Sequence, residues 1–197
     1  MRSAKQSLAV VAALVIAAAQ VTGCTTGEGA VAQGGTFDFV SPGGKTAIFY
    51  DPPSTRGTIG DLSGPDLFTD EPIRLSDFTG KVILINVWGS WCAPCRTETP
   101  ELETVYAEYR DRGVQFLGID VRDNRDTARD SVTDRNVQYP SIFDPAMRSL
   151  ITLGRTYPTS VVPTTMVLDR QRVAAVYLMA LLAEDLRPLL DRLTTER

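Results

Sequence analysis

Cys92 and Cys95 enclose Ala93-Pro94 in the segment Trp91-Cys92-Ala93-Pro94-Cys95, and they are the residues of this chain best suited to chemistry. The thiolate is the attacking form of cysteine. At the start of a helix, backbone N–H groups and the helix dipole favour that negative charge. A CxxC spacing puts the second thiol one helical turn from the first, where it can attack a mixed disulfide and release the product. Pro94 falls in the first helical turn, where its missing N–H costs nothing. Two other uses of the pair are a static disulfide and half of a zinc site. A disulfide that closes so short a loop contributes little by the chain-entropy account. The chain has three cysteines and no histidine, too few ligands for a four-ligand Cys/His zinc site. Position between a strand and a helix therefore favours a redox role. The lack of histidine also removes every Ser-His and Cys-His mechanism.

These thiols need elements to hold them. Lys81 to Trp88 is a nearly continuous apolar run, as expected of a strand buried on both faces. The helix after the cysteines is predicted to run to about Arg112, with Leu102, Val105, Tyr106 and Tyr109 on one face and Gly113 as its stop. Val114 to Val121 reads as a second buried strand and Asp126 to Asn136 as an amphipathic helix. Tyr139 to Phe143 reads as a short strand or loop, and Pro145 to Leu153 as a short helix ending at Gly154. Thr164 to Leu168 and Val173 to Tyr177 form two strands around a turn at Asp169-Arg170-Gln171, and Glu184 to Leu193 closes the chain as a helix. Strands alternating with helices, then a terminal hairpin and helix, give an α/β sheet flanked by helices.

The remainder is organised ahead of that core. Arg2 and Lys5 precede an apolar run from Leu8 to Ala19, too short for a span of roughly 20 apolar residues. Val21-Thr22-Gly23-Cys24 follows, small residues before a cysteine, resembling the bacterial lipobox in which Cys24 would be lipidated. An ordinary signal peptide and a short uncleaved anchor are the alternatives. Cleavage before Cys24 would leave 174 residues and, by removing Arg2 and Lys5 but no acid, move the formal charge from -4 to -6. Two acyl chains suffice for firm membrane attachment, and the compartment would tolerate disulfides. An acidic chain also argues against a nucleic-acid surface. Residues 1–23 are thus expected to be a lipoprotein signal peptide and 24–36 a flexible tether. Residues 37–64 are expected to be an N-terminal extension, and 65–197 the main domain. Within the extension, Phe37 to Val40 and Ala47 to Tyr50 are short strand-like runs joined by the turn cluster Ser41-Pro42-Gly43-Gly44, which predicts a hairpin. Gly44-Lys45-Thr46 lacks the earlier glycine that a phosphate loop requires.

Val87 to Cys95 resembles the active-site segment of the thioredoxin superfamily. Asn86-Val87-Trp88 before it and Arg96-Thr97-Glu98-Thr99-Pro100 after it resemble the ResA/TlpA-like membrane-tethered branch. Val162-Pro163-Thr164-Thr165 resembles the loop carrying that superfamily's cis-proline. The resemblance covers about Pro65 to Leu193; Ser41 to Leu67 is similar to actinobacterial members. It implies a thioredoxin-like fold: a central mixed β-sheet flanked by helices, with an N-terminal extension. Cys92 would be the exposed nucleophile and Cys95 the resolving thiol, the two forming a redox disulfide. Pro163, if cis, would present the Val162 backbone to an extended substrate, with Trp91 at the rim and Trp88 in the packing. Thioredoxin's buried acid is replaced by Asn86, so Glu98 is the expected proton-transfer group; a solvated helix carboxylate is its plainer reading. Pro100 would kink the helix. The resemblance also leads one to expect glycines where Arg170-Gln171 and Met179-Ala180 stand.

The implied function is a membrane-anchored, extracytoplasmic thiol–disulfide oxidoreductase, reducing the CxxCH disulfide of apocytochrome c so that its thiols can take up haem. A membrane thiol transporter would re-reduce it, and no cofactor of its own is expected. The direction of electron flow depends on a reduction potential that residues do not fix. A general disulfide reductase or oxidase with other clients, and a non-enzymatic tethered binding protein with a static bond, stand as alternatives.

Overall fold

A computed structural model describes residues 35–154 and 156–196. The expected signal peptide, Cys24 and most of the tether lie outside the described residues. Among the described residues eight strands are formed: β1 (Ala47–Phe49), β2 (Ser63–Pro65), β3 (Pro72–Arg74), β4 (Val82–Trp88), β5 (Val114–Asp120), β6 (Ser141–Phe143), β7 (Thr164–Asp169) and β8 (Arg172–Tyr177). Three α-helices accompany them among the described residues: α1 (Ala93–Tyr109), α2 (Arg125–Asp134) and α3 (Ala183–Thr195). Six strands make one mixed sheet in the order β1-β8-β7-β4-β5-β6, with β4 parallel to β5 and antiparallel to β7; β2 and β3 pair separately. No described helix is long and apolar enough to cross a membrane.

The sheet is buried on both faces because side chains alternate along each strand. Val82 and Leu84 of β4, with Val114 and Phe116 of β5, pack against Leu102, Val105 and Tyr109 of α1 and Leu186, Leu189, Leu190 and Leu193 of α3. Ile83, Ile85 and Val87, with Leu117 and Ile119, point the other way, where Phe37, Phe39, Ile48, Tyr50 and Leu62 cover them. The stretch 37–64 thus shares one core with the residues beyond Pro65.

The expected hairpin within that stretch does not form. Residues 37–40 are not a strand, and β1 pairs antiparallel with β8, Ile48 opposite Val176. Alternation identified a strand at Ala47–Phe49, but its partner comes from the far end of the chain, where the open edge of β8 offers a full ladder. A further departure is the expected helix at Pro145 to Leu153, which is a 3-10 segment over Ser149–Leu153. Asp144 caps that segment, its carboxylate accepting from Ser149 N–H at 2.7 Å and Ser149 Oγ at 2.6 Å. α1 stops at Tyr109, short of the expected Arg112; a 3-10 turn over Arg110–Arg112 extends it, and Gly113 ends that turn at φ +84°.

Candidate active site

β4 delivers the chain to the C-terminal end of the sheet, and Gly89-Ser90-Trp91 turns it into α1. Cys92 is the N-cap residue of α1, and its Sγ accepts the Cys95 N–H at 3.2 Å. Cys92 and Cys95 are joined in a disulfide. The pair lies where helix N–H groups would stabilise a thiolate once the bond is reduced. The expectation that Cys92 is exposed is corrected in this oxidised state: Cys92 is only 3 % exposed and Cys95 4 %. The capping bond and the disulfide both draw the Cys92 sulfur toward the helix, while Ala93 and Pro94 stand exposed beside it.

Sheet register explains what lies under the disulfide. Asn86 of β4 is directly opposite Thr165 of β7, and both face α1. One turn beyond Cys95, Glu98 points down between them. Asn86 Nδ2 donates to Glu98 Oε1 at 3.3 Å and to Thr165 Oγ1 at 3.1 Å, and Thr165 Oγ1 donates to Glu98 Oε1 at 3.3 Å. Glu98 is 2 % exposed, and its Oε2 has no hydrogen-bond partner. Burial pushes its pKa from 4.5 up to about 8, with the Thr165 hydroxyl and the Leu181 backbone opposing the shift only in part. This is a carboxyl poised to hold or release a proton near neutral pH, not a solvated helix residue. Pro100 lies within α1, where it removes one bond from the ladder.

The loop before β7 supplies the opposite wall. The Val162–Pro163 peptide bond is cis. Thr164 pairs with Val87 in the β4–β7 ladder, so Pro163 sits at the end of the sheet from which the CxxC segment departs. Val162 is half-buried against the core and Pro163 is buried. Trp91 is 46 % exposed beside the CxxC turn; its Nε1 donates to Val121 O at 3.0 Å, and the Arg122 guanidinium lies 4.7 Å from its ring. Trp88 is half-buried against Leu67, Ala128 and Val132, with Nε1 donating to Ser141 Oγ at 3.3 Å. A Cβ at residue 89 would lie 2.4 Å from the Trp91 Nε1, so glycine there is what lets the indole fold back over the turn.

Sequence reading missed the β5–α2 loop. Asp123 accepts from both the backbone N–H and the hydroxyl of Ser90, the latter at 2.9 Å, and thereby ties down the segment leading into Cys92. Asp120, the last residue of β5, is fully buried, and neither carboxyl oxygen meets a donor. Burial first, and the adjacent Asp123 carboxylate second, push its pKa up to about 8. The available signal was a carboxylate at the end of the otherwise apolar run Val114 to Val121.

Residues 58–176 match the AhpC/TSA family, a segment that includes the CxxC turn, Glu98 and the cis-proline loop. The chain is similar to a secreted thiol-disulfide isomerase from Corynebacterium glutamicum, 44% identical, with a TM-score of 0.79 over 83% of this chain and 100% of that one. A DsbF homologue from Corynebacterium diphtheriae is also 44% identical, with a TM-score of 0.75 over 80% of this chain and 99% of that one. Thiol-disulfide oxidoreductase ResA from Bacillus thuringiensis subsp. konkukian is 29% identical over 98 residues, 50% of this chain and 54% of that protein. The chain thus spans about half the length of the first curated relatives it matches.

Proposed function

The chain belongs to the AhpC/TSA family of thioredoxin-like proteins, and from that premise we propose that it is an extracytoplasmic thiol–disulfide oxidoreductase. The observation that carries the reading is the Cys92–Cys95 disulfide at the N-terminus of α1 directly above the buried Glu98. In the reduced protein the Cys92 thiolate attacks one sulfur of a client disulfide. A Cys92–client bond forms as the client's S–S bond breaks, and the departing client thiolate takes a proton. Cys95 then gives its proton to the Glu98 carboxylate and attacks Cys92 Sγ. The Cys92–Cys95 bond forms, the second client thiolate leaves, and the client has gained two electrons. Glu98, being buried and uncharged or charged near neutrality, can accept that proton and return it on re-reduction. Val162 and Pro163 would hold the client backbone in extended form, with Trp91 at the rim.

The client we favour is the CxxCH segment of apocytochrome c, kept reduced for haem attachment. Cys24 would be lipidated to hold the domain at the outer face of the cell membrane, where a membrane thiol transporter would supply electrons. The resemblance to the ResA/TlpA-like branch and the lipobox-like Val21 to Cys24 support this. A second reading, oxidation or isomerisation of other exported proteins, is favoured by the 44% identity to a secreted thiol-disulfide isomerase.

Reduction of insulin disulfides by dithiothreitol tests the chemistry. The wild type should accelerate it and Cys92→Ser should not; no acceleration by the wild type removes the enzyme reading. A Cys95→Ser variant retains the attacking thiol and cannot resolve, so it should trap clients as mixed disulfides. Recovery of apocytochrome c supports the maturation role, whereas recovery of unrelated exported proteins alone defeats it. Loss of fatty-acid labelling in Cys24→Ser checks the anchor.

A further inference from the structure

We propose that Asp120 and Asp123 share one proton, and that this shared proton positions the Gly89–Trp91 segment from which Cys92 enters α1. The starting observation is a conflict of acceptors. Asp120 is completely buried, and no donor reaches either of its carboxyl oxygens. Three residues on, the Asp123 carboxylate acts on it as a neighbouring like charge. Two facing carboxylates cannot both be ionised in such a place at small cost. A proton on Asp120 turns the conflict into a hydrogen bond, with Asp120 donating to Asp123.

Geometry decides which partner keeps the proton. Asp123 Oδ1 accepts from Ser90 Oγ at 2.9 Å, Asn124 N at 2.8 Å and Thr127 Oγ1 at 3.0 Å, and its Oδ2 accepts the Ser90 N–H. These donors stabilise the ionised form and, despite burial, hold the Asp123 carboxyl below its ordinary value. Asp120 has no such donors. The neighbouring charged groups are engaged elsewhere. Arg122 is stacked on Trp91, Arg96 donates to Ser90 O at 3.1 Å, and Arg125 pairs with Asp70 at 2.8 Å. The Asp144 carboxylate, beyond β6, is turned to Ser149.

The consequence falls on the redox turn. Register puts Asp120 opposite Trp88, Val121 N–H donates to Trp88 O at 2.9 Å, and Trp91 Nε1 returns to Val121 O. Asp123 grips Ser90 between these two contacts. When Asp120 ionises, Asp123 faces a like charge and its hold on Ser90 weakens, so Cys92 loses part of its fixed placement. Asp120 and Asp123 are therefore positioning residues. Their link to catalysis rests on the reading of Cys92 as the attacking thiol, but the ionisation itself does not.

The test uses the oxidised protein, where no cysteine of the pair titrates. The chain has two tryptophans, Trp88 and Trp91, and no histidine. Tryptophan emission followed from pH 6 to 9.5, with every protein carrying Glu98→Gln so that the other buried acid cannot contribute, should show a transition near pH 8 in that parent and none once Asp120→Asn is added. Asp123→Asn, which removes the like charge, should move the transition to lower pH. A transition that persists when Asp120→Asn is added, an unmoved midpoint when Asp123→Asn is added, or no transition in the Glu98→Gln parent overturns the proposal. If Asp120→Asn fails to fold, the Asp123→Asn midpoint decides alone. No substrate is present, so these outcomes are independent of whether insulin reduction succeeds. In the reduced protein, alkylation of Cys92 should carry the same additional pH dependence, lost in Asp120→Asn.

Discussion

The Asn86 amide donates to Glu98 Oε1 at 3.3 Å, linking the strand under the redox turn to the helix that bears it. An amide cannot take up a proton, so the titrating group in this layer arrives from the helix side. Thr165, brought beside Asn86 by the β4–β7 register, completes a three-member cluster around one carboxyl oxygen. The other oxygen, Oε2, makes no hydrogen bond within this cluster. The arrangement keeps one buried acid, rather than two, beneath the disulfide.

Replacing Glu98 with glutamine should slow the resolving step by roughly 10²-fold, the lower end of what a positioned proton-transfer group supplies. Single-turnover mixing of reduced protein with a peptide disulfide would measure it. Measured in Asp120→Asn, which removes the other group titrating there, the rate should also show an inflection near pH 8, where Glu98 changes charge, and this inflection should vanish once Glu98→Gln is added. An unchanged rate and pH profile would remove Glu98 from the mechanism.

The same substitution should alter stability in a pH-dependent way. Below about pH 4.5 Glu98 is protonated in both folded and unfolded chains and costs nothing extra. Between 4.5 and about 8 the unfolded chain has lost a proton that the folded chain keeps, so this group lowers stability as pH rises; above that the loss levels off. Glutamine has no such dependence. Urea melts of the oxidised protein should therefore show Glu98→Gln gaining on the wild type from pH 5 to pH 8; a constant difference would rule out the raised pKa.

Gly89→Ala should displace Trp91 while sparing the fold. The new Cβ would approach Trp91 Nε1 to 2.4 Å and Cε2 to 2.7 Å, which forces the indole outward. The bond to Val121 O and the Arg122 stack would be lost. Because the ring is already 46 % exposed, the stability loss should stay near ~1 kcal/mol. A red-shifted emission with a raised KM for peptide disulfides is the expected pair of results, and an unchanged spectrum would show that the ring does not move.

Much of this was legible in the sequence because it is local. The apolar runs became β4 and β5, and Gly113 ended the helical segment where expected, although its last turn, Arg110–Arg112, is 3-10. Cys92 stands at the helix cap because a strand feeds it and Pro94 suits a first turn. What escaped is non-local. Alternation assigned Ala47–Phe49 to a strand but could not name β8 as its partner. Thr165 and Asn86 converge on Glu98 only through register across the sheet. The burial of Cys92 and the orphaned Asp120 likewise depend on how separate segments close over one another.

Arg56→Met should destabilise strongly. The Arg56 side chain is fully buried and binds Glu196 at 2.7 Å, Asp169 at 2.9 Å and Asp51 at 3.1 Å, joining the N-terminal extension to the β7–β8 turn and the C-terminus. Its removal leaves three carboxylates with only the part-exposed Arg170 and Arg192 as cationic partners, a loss of about 3 kcal/mol by comparison with other broken buried pairs. The acids retain 13 to 37 % exposure, so water softens the penalty. Chemical denaturation at pH 7 would measure it, and a change below ~1 kcal/mol would show that the cluster is replaceable by packing.

Gln171→Gly should stabilise. Arg170 and Gln171 join β7 to β8, and both are held at positive φ, +47° and +74°. A two-residue hairpin turn whose twist matches its strands demands this conformation, and glycine and asparagine meet it without a Cβ clash. Arg170 is compensated, since it pairs with Asp169 at 2.8 Å and donates to Glu196 O at 2.9 Å. Gln171 makes no side-chain hydrogen bond among the described residues, so nothing offsets its left-handed backbone. Relief of that strain should exceed the added freedom of glycine in the unfolded chain, a net gain of about 1 kcal/mol. Arg170→Gly should gain less or lose, because it also gives up two contacts. A urea-melt series of the two variants separates them; equal effects would show that backbone strain is not what distinguishes the positions.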